Sequence, residues 1–285
     1  MFVISGVTGH VGGAVASELV ARNQKIKVIL RNPTQGTVWS QRGCEVAVGS
    51  LEDEPFLTRT LQGARGFFAL LPPNYQAADL YAWQRKTAQA IANGVDQSRV
   101  PLVVMLSSVG ADLADGNGPI KGLHYLEEAL RKTSTKLVAL RPTYFQENIA
   151  GVLNAARSSG VFPSFAPSAD VAMPMVATSD IGKMAADLLI TPPAASEIVD
   201  LDGPAYSSRQ VAEKLGTALG KPLRVLDVPP PEHVKTLEQA GIPHPLAEAF
   251  AEMYAGFAAG KIRPHGDRMV HAKTPIDNVI SAIAH

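Results

Sequence analysis

The stretch "SGVTGHVGG", residues 5–13, stands between a short apolar run and a helical pattern, and it limits the possible folds more than any other feature of the chain. Gly6, Gly9 and Gly12 recur every third residue. A glycine at the end of a strand permits a tight turn, a second lets backbone approach a pyrophosphate, and a third lets the following helix pack close to the sheet. The helix N-terminus then offers free N–H groups and a partial positive charge to phosphates. A merely tight turn is the competing reading; the flanking strand and helix favour the dinucleotide loop. Thr8 and His10 add side-chain hydrogen-bonding capacity, although His10 reads more simply as a solvated loop residue.

Downstream, apolar runs alternate with helical patterns. Strands are expected at 2–5, 26–30, 45–48, 66–71, 101–106 and 136–140, and helices at 11–22, 52–63, 75–93 and 122–133. Continuous apolar strands alternating with helices predict an α/β fold, a Rossmann-type doubly wound parallel sheet covered on both faces. Ligands then belong at the carboxyl ends of the strands. After about residue 142 Gly and Pro become frequent, with helical patterns at 179–190, 207–219 and 245–259 and a strand at 197–201. The expected organisation is a cofactor-binding domain over 1–150 and a smaller substrate lobe over 151–285, with segments near 174–201 returning to the main sheet.

Composition excludes several classes. Lys plus Arg is 26 and Asp plus Glu is 26, so the basic surplus of a nucleic-acid binder is missing. The single cysteine, Cys44, rules out an internal disulfide and a four-cysteine zinc site, and the histidines show no metal-like spacing, so no metal is expected. No run approaches the roughly 18 apolar residues of a membrane span, and "MFVISGVTGH" enters a strand at once, which predicts a cytoplasmic protein.

The end of the second strand bears on the choice of cofactor. An NAD site usually places an acid there, about 20 residues after the loop, to accept the ribose hydroxyls. This chain has "VILRNP", with Arg31 and Asn32 and no acid between Glu18 and Glu45. A guanidinium can pair with a 2′-phosphate, so NADP is favoured over NAD. The competing reading of Arg31 is a solvated loop arginine.

The order of "GVTGHVGG", "ILRNP", "FFALLPP", "VVMLSSVGAD", "HYLEEALRKT", "LVALRPTYFQENI" and "KTPIDNVISAIAH" resembles the NmrA-like group of atypical short-chain dehydrogenases over nearly the whole chain. That group contains NADPH-dependent reductases of quinones, dyes and similar conjugated compounds, and also regulators that sense nicotinamide redox state. The resemblance implies that Gly6, Thr8, Gly9, His10, Val11 and Gly12 hold the pyrophosphate and that Arg31, with Asn32 beside it, meets the adenosine phosphate. It places Leu70, Leu71 and Pro72 along the ribose–nicotinamide side and Ser107 and Ser108 near the nicotinamide. Tyr144, Phe145 and Asn148 would wall the substrate cleft. One departure is Gly49-Ser50, where many relatives have Gly-Asp.

Most enzymes of the wider superfamily use Y-x-x-x-K, in which Tyr gives the proton and Lys lowers its pKa. Here the residues four after Tyr75, Tyr81, Tyr125, Tyr144, Tyr206 and Tyr254 are Asp79, Arg85, Ala129, Asn148, Gln210 and Ala258, so no tyrosine has the lysine. His124 at the expected helix start is the candidate acid, against a local structural role, and Tyr125 is the second candidate. Lys121 reads as solvated, and Glu127 and Glu128, four residues before Arg131 and Lys132, as a solvated helix face. The expected function is NADPH-dependent reduction of a small apolar or conjugated acceptor such as a quinone. The alternative is a nicotinamide-sensing regulator that binds a protein partner; a homodimer is also left open. A sugar-nucleotide epimerase ranks last because it needs the Tyr–Lys pair.

Overall fold

Short runs of Val, Ile, Leu and Phe build one parallel sheet, and the helices between them cover its two faces. The computed structural model describes residues 1–74 and 76–284; Tyr75 lies outside the described residues. The first half runs β1 (Phe2–Ile4), α1 (His10–Ala21), β2 (Ile26–Leu30), α2 (Thr37–Gln41), β3 (Glu45–Val48), α3 (Glu54–Leu61), β4 (Gly66–Ala69), α4 (Leu80–Ser98), β5 (Leu102–Leu106), α5 (Lys121–Leu130) and β6 (Lys136–Pro142). The second adds β7 (Tyr144–Phe145), α6 (Leu153–Ser159), β8 (Val161–Ser164), β9 (Met173–Val176), α7 (Thr178–Ile190) and β10 (Glu197–Asp202). It continues with β11 (Ala205–Tyr206), α8 (Ser208–Ala218), β12 (Arg224–Asp227), α9 (His233–Gln239), α10 (His244–Ala258), β13 (Arg268–His271) and α11 (Ile276–Ala284).

The main sheet has the order β13-β10-β6-β5-β4-β1-β2-β3, parallel throughout. The chain builds outward from β1 to β3, then crosses to β4 and builds the other way, so the switch point lies between β1 and β4. Alternate residues of each strand serve opposite faces. Phe2, Ile4, Phe68, Val104 and Leu140 join Val15 and Leu19 of α1 and Ile181 and Leu189 of α7. Val3, Phe67, Val103, Met105 and Leu137 join Leu57 of α3, Ile91 of α4 and Leu126 of α5. Each fully buried Leu or Phe contributes about 1.5–3 kcal/mol of transfer free energy.

Outside the sheet, β7, β9 and β11 form one small sheet and β8 and β12 another. Their own core contains Ile149, Phe162, Met175, Val211, Leu215, Ile276 and Ile280. The fourth helix starts later than its periodicity predicts, at Leu80, because the Asp79 side chain accepts from Ala82 N and sets the N-cap.

Glu127 corrects a reading from sequence. The Glu127/Arg131 spacing predicts a solvated face, yet Glu127 is fully buried. Its Oε1 accepts from Ser107 Oγ at 2.5 Å and Arg141 Nε at 2.8 Å, and its Oε2 from Arg141 Nη2 and Arg131 Nη2, both at 2.7 Å. Arg141, 1% exposed, is itself a β6 residue. Burial works against its charge, but Glu127 foremost, with Asp112 and Asp200, together more than offset this and hold its pKa above the usual arginine value. Removing one partner of such a pair costs about 3–5 kcal/mol, whereas replacing both with apolar groups is often neutral. Glu127→Ala is therefore expected to lower stability by that amount in urea unfolding, and Glu127→Leu with Arg141→Met to recover most of it. Equal midpoints for wild type and Glu127→Ala would show that the pair does not hold the fold.

Candidate functional site

The glycine loop sits at the switch point. Gly6 has φ +68°, so the turn favours glycine, and a Cβ there would also lie 2.2 Å from Leu70 Cδ2 beyond the end of β4. A Cβ on Gly12 would lie 2.3 Å from Gly6 O and 2.5 Å from Ser5 O, which fixes how closely α1 approaches β1. Ser5 ties this turn to β4, donating its hydroxyl to Phe68 O at 2.8 Å.

Gly9 is different. It has φ −103° and ψ 173°, and an added Cβ would meet only Gly6 O at 3.5 Å, an ordinary contact. Nothing inside the protein demands a glycine there; the space lies outside it. Gly9 caps α1 without a side-chain hydrogen bond, and the first turn has no acid, so the helix N-terminus stays electropositive. Thr8, Gly9 and His10 are exposed at the loop tip, while Val11 is buried in the core and offers the site only its backbone.

At the end of β2, Arg31 is exposed and has no ion-pair partner among the described residues. Asn32 is committed locally: its Oδ1 accepts from Thr34 N at 3.0 Å and Thr34 Oγ1 at 2.8 Å. At the end of β3, Gly49 leaves room for the Phe56 ring, and Ser50 Oγ accepts from Glu52 N at 3.2 Å.

Across the switch point, Leu70, Leu71 and Pro72 are half-buried. Ser107 is buried with its hydroxyl on Glu127, and Ser108 is half-buried, donating to Val109 O at 3.0 Å. His124 Nδ1 lies 2.9 Å from Ala111 O. A carbonyl only accepts, so Nδ1 carries the proton and Nε2 keeps its lone pair. Tyr125 turns toward α4: its hydroxyl accepts from Arg85 Nη2 at 3.0 Å, and the Arg85 guanidinium lies 4.6 Å from its ring centroid. The structure therefore does not bring Tyr125 to His124's partners. Lys121 pairs with Asp115, which holds its pKa above the usual lysine value, and sits 5.2 Å from the Tyr81 ring centroid.

Tyr144 and Phe145 form β7 immediately past β6, half-buried, and Asn148 is exposed nearby. Burial pushes the Tyr144 phenol up, and a hydrogen bond with Asn148 opposes that. The second half also assembles an aromatic group that the sequence reading missed. Tyr254 of α10 stacks on Phe165 at 5.0 Å (11° between planes) and on Phe250 at 6.4 Å (22°). His233 meets Phe165 and Tyr254 edge-on at 5.3 and 5.6 Å. One signal was present: Phe250 and Tyr254 are four apart on a helix and so share a face. Among the described residues no group of three or more His, Cys, Asp or Glu side chains is placed to hold a metal ion.

A sequence profile described as the NmrA-like family matches residues 1–283. The NAD(P)H azoreductase of Xenophilus azovorans is 24% identical, over 90% of this chain and 86% of the relative. A reductase of (4-alkanoyl-5-oxo-2,5-dihydrofuran-3-yl)methyl phosphate from Streptomyces griseus is 28% identical, over 88% of this chain and 85% of the relative. The structure of the NADPH-dependent quinone oxidoreductase of Escherichia coli, complexed with NADPH, superposes with a TM-score of 0.84 at 20% identity and covers 100% of both chains.

The loop geometry separates two glycines by substitution. Gly12→Ala drives a Cβ into backbone and is expected to cost about 1–3 kcal/mol or more. Gly9→Ala is expected to leave stability unchanged or raise it by up to about 1 kcal/mol, through reduced freedom of the unfolded chain. Thermal unfolding of the two variants checks this; a matching loss in both would mean that Gly9, too, is needed by the fold.

Proposed function

The chain belongs to the NmrA-like family, and from that premise we propose that it is an NADPH-dependent oxidoreductase acting on a small conjugated acceptor such as a quinone. The observation that carries this reading is the space at Gly9 beside an uncapped, acid-free helix N-terminus, a cradle with no occupant from the protein itself. The reductase activities of the azoreductase and the furan-type reductase support it. The N–H groups at the start of α1 would hold the pyrophosphate, and Arg31, without an ion-pair partner among the described residues, would hold a 2′-phosphate. Asn32 would act there only through the turn it caps. Leu70, Leu71, Pro72 and Ser108 would border the nicotinamide, and Tyr144 and Phe145 the acceptor.

When bound, the nicotinamide supplies a hydride. What the chain contributes is position, exclusion of water and proton management. His124 holds a proton on Nδ1 against Ala111 O, which leaves Nε2 to take and release another. Ser107 acts indirectly, since its hydroxyl belongs to Glu127.

Loss of reduced-nicotinamide absorbance with a panel of quinones and enones tests the proposal; no turnover with any of them would overturn it. Arg31→Ala is expected to reduce the preference for NADPH over NADH roughly 10- to 100-fold, the worth of a charge-assisted hydrogen bond; an unchanged ratio would remove Arg31 from the site. His124→Ala is expected to lower kcat on the order of 10²-fold with NADPH affinity intact. If turnover and affinity both stay at wild-type levels, His124 is an ordinary helix entry.

A further inference from the structure

Resting on the reductase reading above, we propose that Asn117 is the positioning residue for His124. By bridging two carbonyls of the turn before α5, it fixes the Ala111 carbonyl that keeps the neutral His124 ring in its Nδ1–H form, so that Nε2 is the nitrogen that takes the proton.

Short contacts connect the two residues and tie them to the sheet. Ser107 N donates to Leu140 O at 2.8 Å and Val109 N to Pro142 O at 3.2 Å, so the turn starts fixed to the carboxyl ends of β5 and β6. Ala111 N then donates to Ser108 O at 3.1 Å and Leu113 N to Gly110 O at 3.2 Å. Asn117 closes the turn from inside: its Nδ2 donates to Gly110 O at 3.0 Å and to Leu113 O at 2.8 Å, one residue before Ala111 and two after it. Between these anchors, Ala111 O meets His124 Nδ1 at 2.9 Å.

Asn117 is wholly buried, and its Oδ1 has no hydrogen-bond partner among the described residues. The reversed amide would set that oxygen against two carbonyl oxygens, so the neighbours dictate the orientation. From the other side α10 holds the same turn. Glu252 Oε1 accepts from Gly116 N at 2.9 Å. A Cβ on Gly118, which has φ +56°, would lie 1.9 Å from Ala249 O, and one on Gly256 would lie 2.5 Å from Gly116 O. Turn and helix therefore touch backbone to backbone. Val109, Ala111 and Ile120 pack with Ile262, and Met253 and Phe257 of α10 lie against them.

A free neutral imidazole favours the proton on Nε2. The Ala111 carbonyl reverses this, because a carbonyl can only accept. Neutral His124 thus presents a lone pair at Nε2 and must take a proton there before it can give one. After hydride has reached the acceptor, the proton leaves Nε2 of the doubly protonated ring for the acceptor anion. The ring returns to its Nδ1–H form, and solvent supplies the next proton. In a loosened turn the ring would revert to Nε2–H, with its lone pair on Nδ1, facing the protein.

The ¹⁵N spectrum of the imidazoles reports the tautomer directly. It is read at about pH 8.5, roughly two units above the ordinary histidine value, with His124 assigned by the signals missing from His124→Ala. Wild type is expected to show a protonated Nδ1 and an unprotonated Nε2. Asn117→Ser keeps one donor for two carbonyls and Asn117→Ala keeps none, so the Nε2–H form is expected to grow in that order. Leu215→Ala, in the core of the second half, lowers stability without touching the turn and is expected to keep the wild-type spectrum. With NADPH and 1,4-naphthoquinone, kcat of Asn117→Ala is expected to fall about 10-fold, less than in His124→Ala, with NADPH affinity unchanged. An Nε2–H ring in wild type, a wild-type spectrum in Asn117→Ala, or the same tautomer change in Leu215→Ala overturns the assignment. If Asn117→Ala does not fold, Asn117→Ser decides by the same criterion. A changed tautomer with wild-type kcat also overturns it, since the position of the ring would then not matter to turnover. A wild type that never oxidises NADPH defeats the reductase reading instead, while the spectra still judge Asn117.

Discussion

The arrangement of the site depends on the buried pair of Glu127 and Arg141. Both are shielded from water, which is costly unless every donor and acceptor is satisfied. Here both carboxylate oxygens are saturated, by Ser107, Arg141 and Arg131. The three elements joined are the end of β5, the middle of α5 and the end of β6. His124 stands one turn before Glu127, Ser108 follows Ser107, and Tyr144 lies three residues beyond Arg141. A slip of any of these elements would break a charge-assisted bond inside the protein, so the network sets their register. β10 extends it, since Asp200 pairs in register with Arg141. Burial raises the Asp200 carboxyl against the opposing bond from Gly266 N.

The other side of the switch point is organised by the absence of side chains. Gly12 lets β1 and α1 come together at distances that no Cβ would allow, and Gly6 makes the left-handed turn beside Leu70. The two halves of the crevice therefore use opposite means. One is closed by removing atoms so that backbone can present its N–H groups, and the other by filling space with ionic partners that hold helix α5 in place. Gly9 belongs to neither requirement, and the space beside it lies outside the protein.

The first half of the fold was legible because its strands are continuous apolar runs and its helices have a clear period; both are local signals. The glycine loop was legible for the same reason. Glu127 was not, since an i,i+4 acid–base spacing looks identical on a solvated face and beneath one, and only the position of Arg141 in the folded sheet distinguishes them. The second half was harder because its strands are two to six residues long and pair across distance: β8 with β12, β9 with both β7 and β11. The aromatic group joins residues from the segment after β8, the start of α9 and the middle of α10. No window of sequence contains it. Asn32 and Ser107 show a related limit, for sequence tells which side chains can bind but not which are already engaged by their neighbours.

The same geometry explains why a tyrosine on α5 is not placed to serve as proton relay. Residues three or four apart share a face of a helix, and neighbours diverge by about 100°. His124 and Glu127 share the face toward the sheet, so Tyr125 turns to α4, where Arg85 holds it. The position four after His124 is Glu128, which pairs with Arg131. With Glu127 required for register, that face of α5 has no room for the Tyr–Lys arrangement of the wider superfamily.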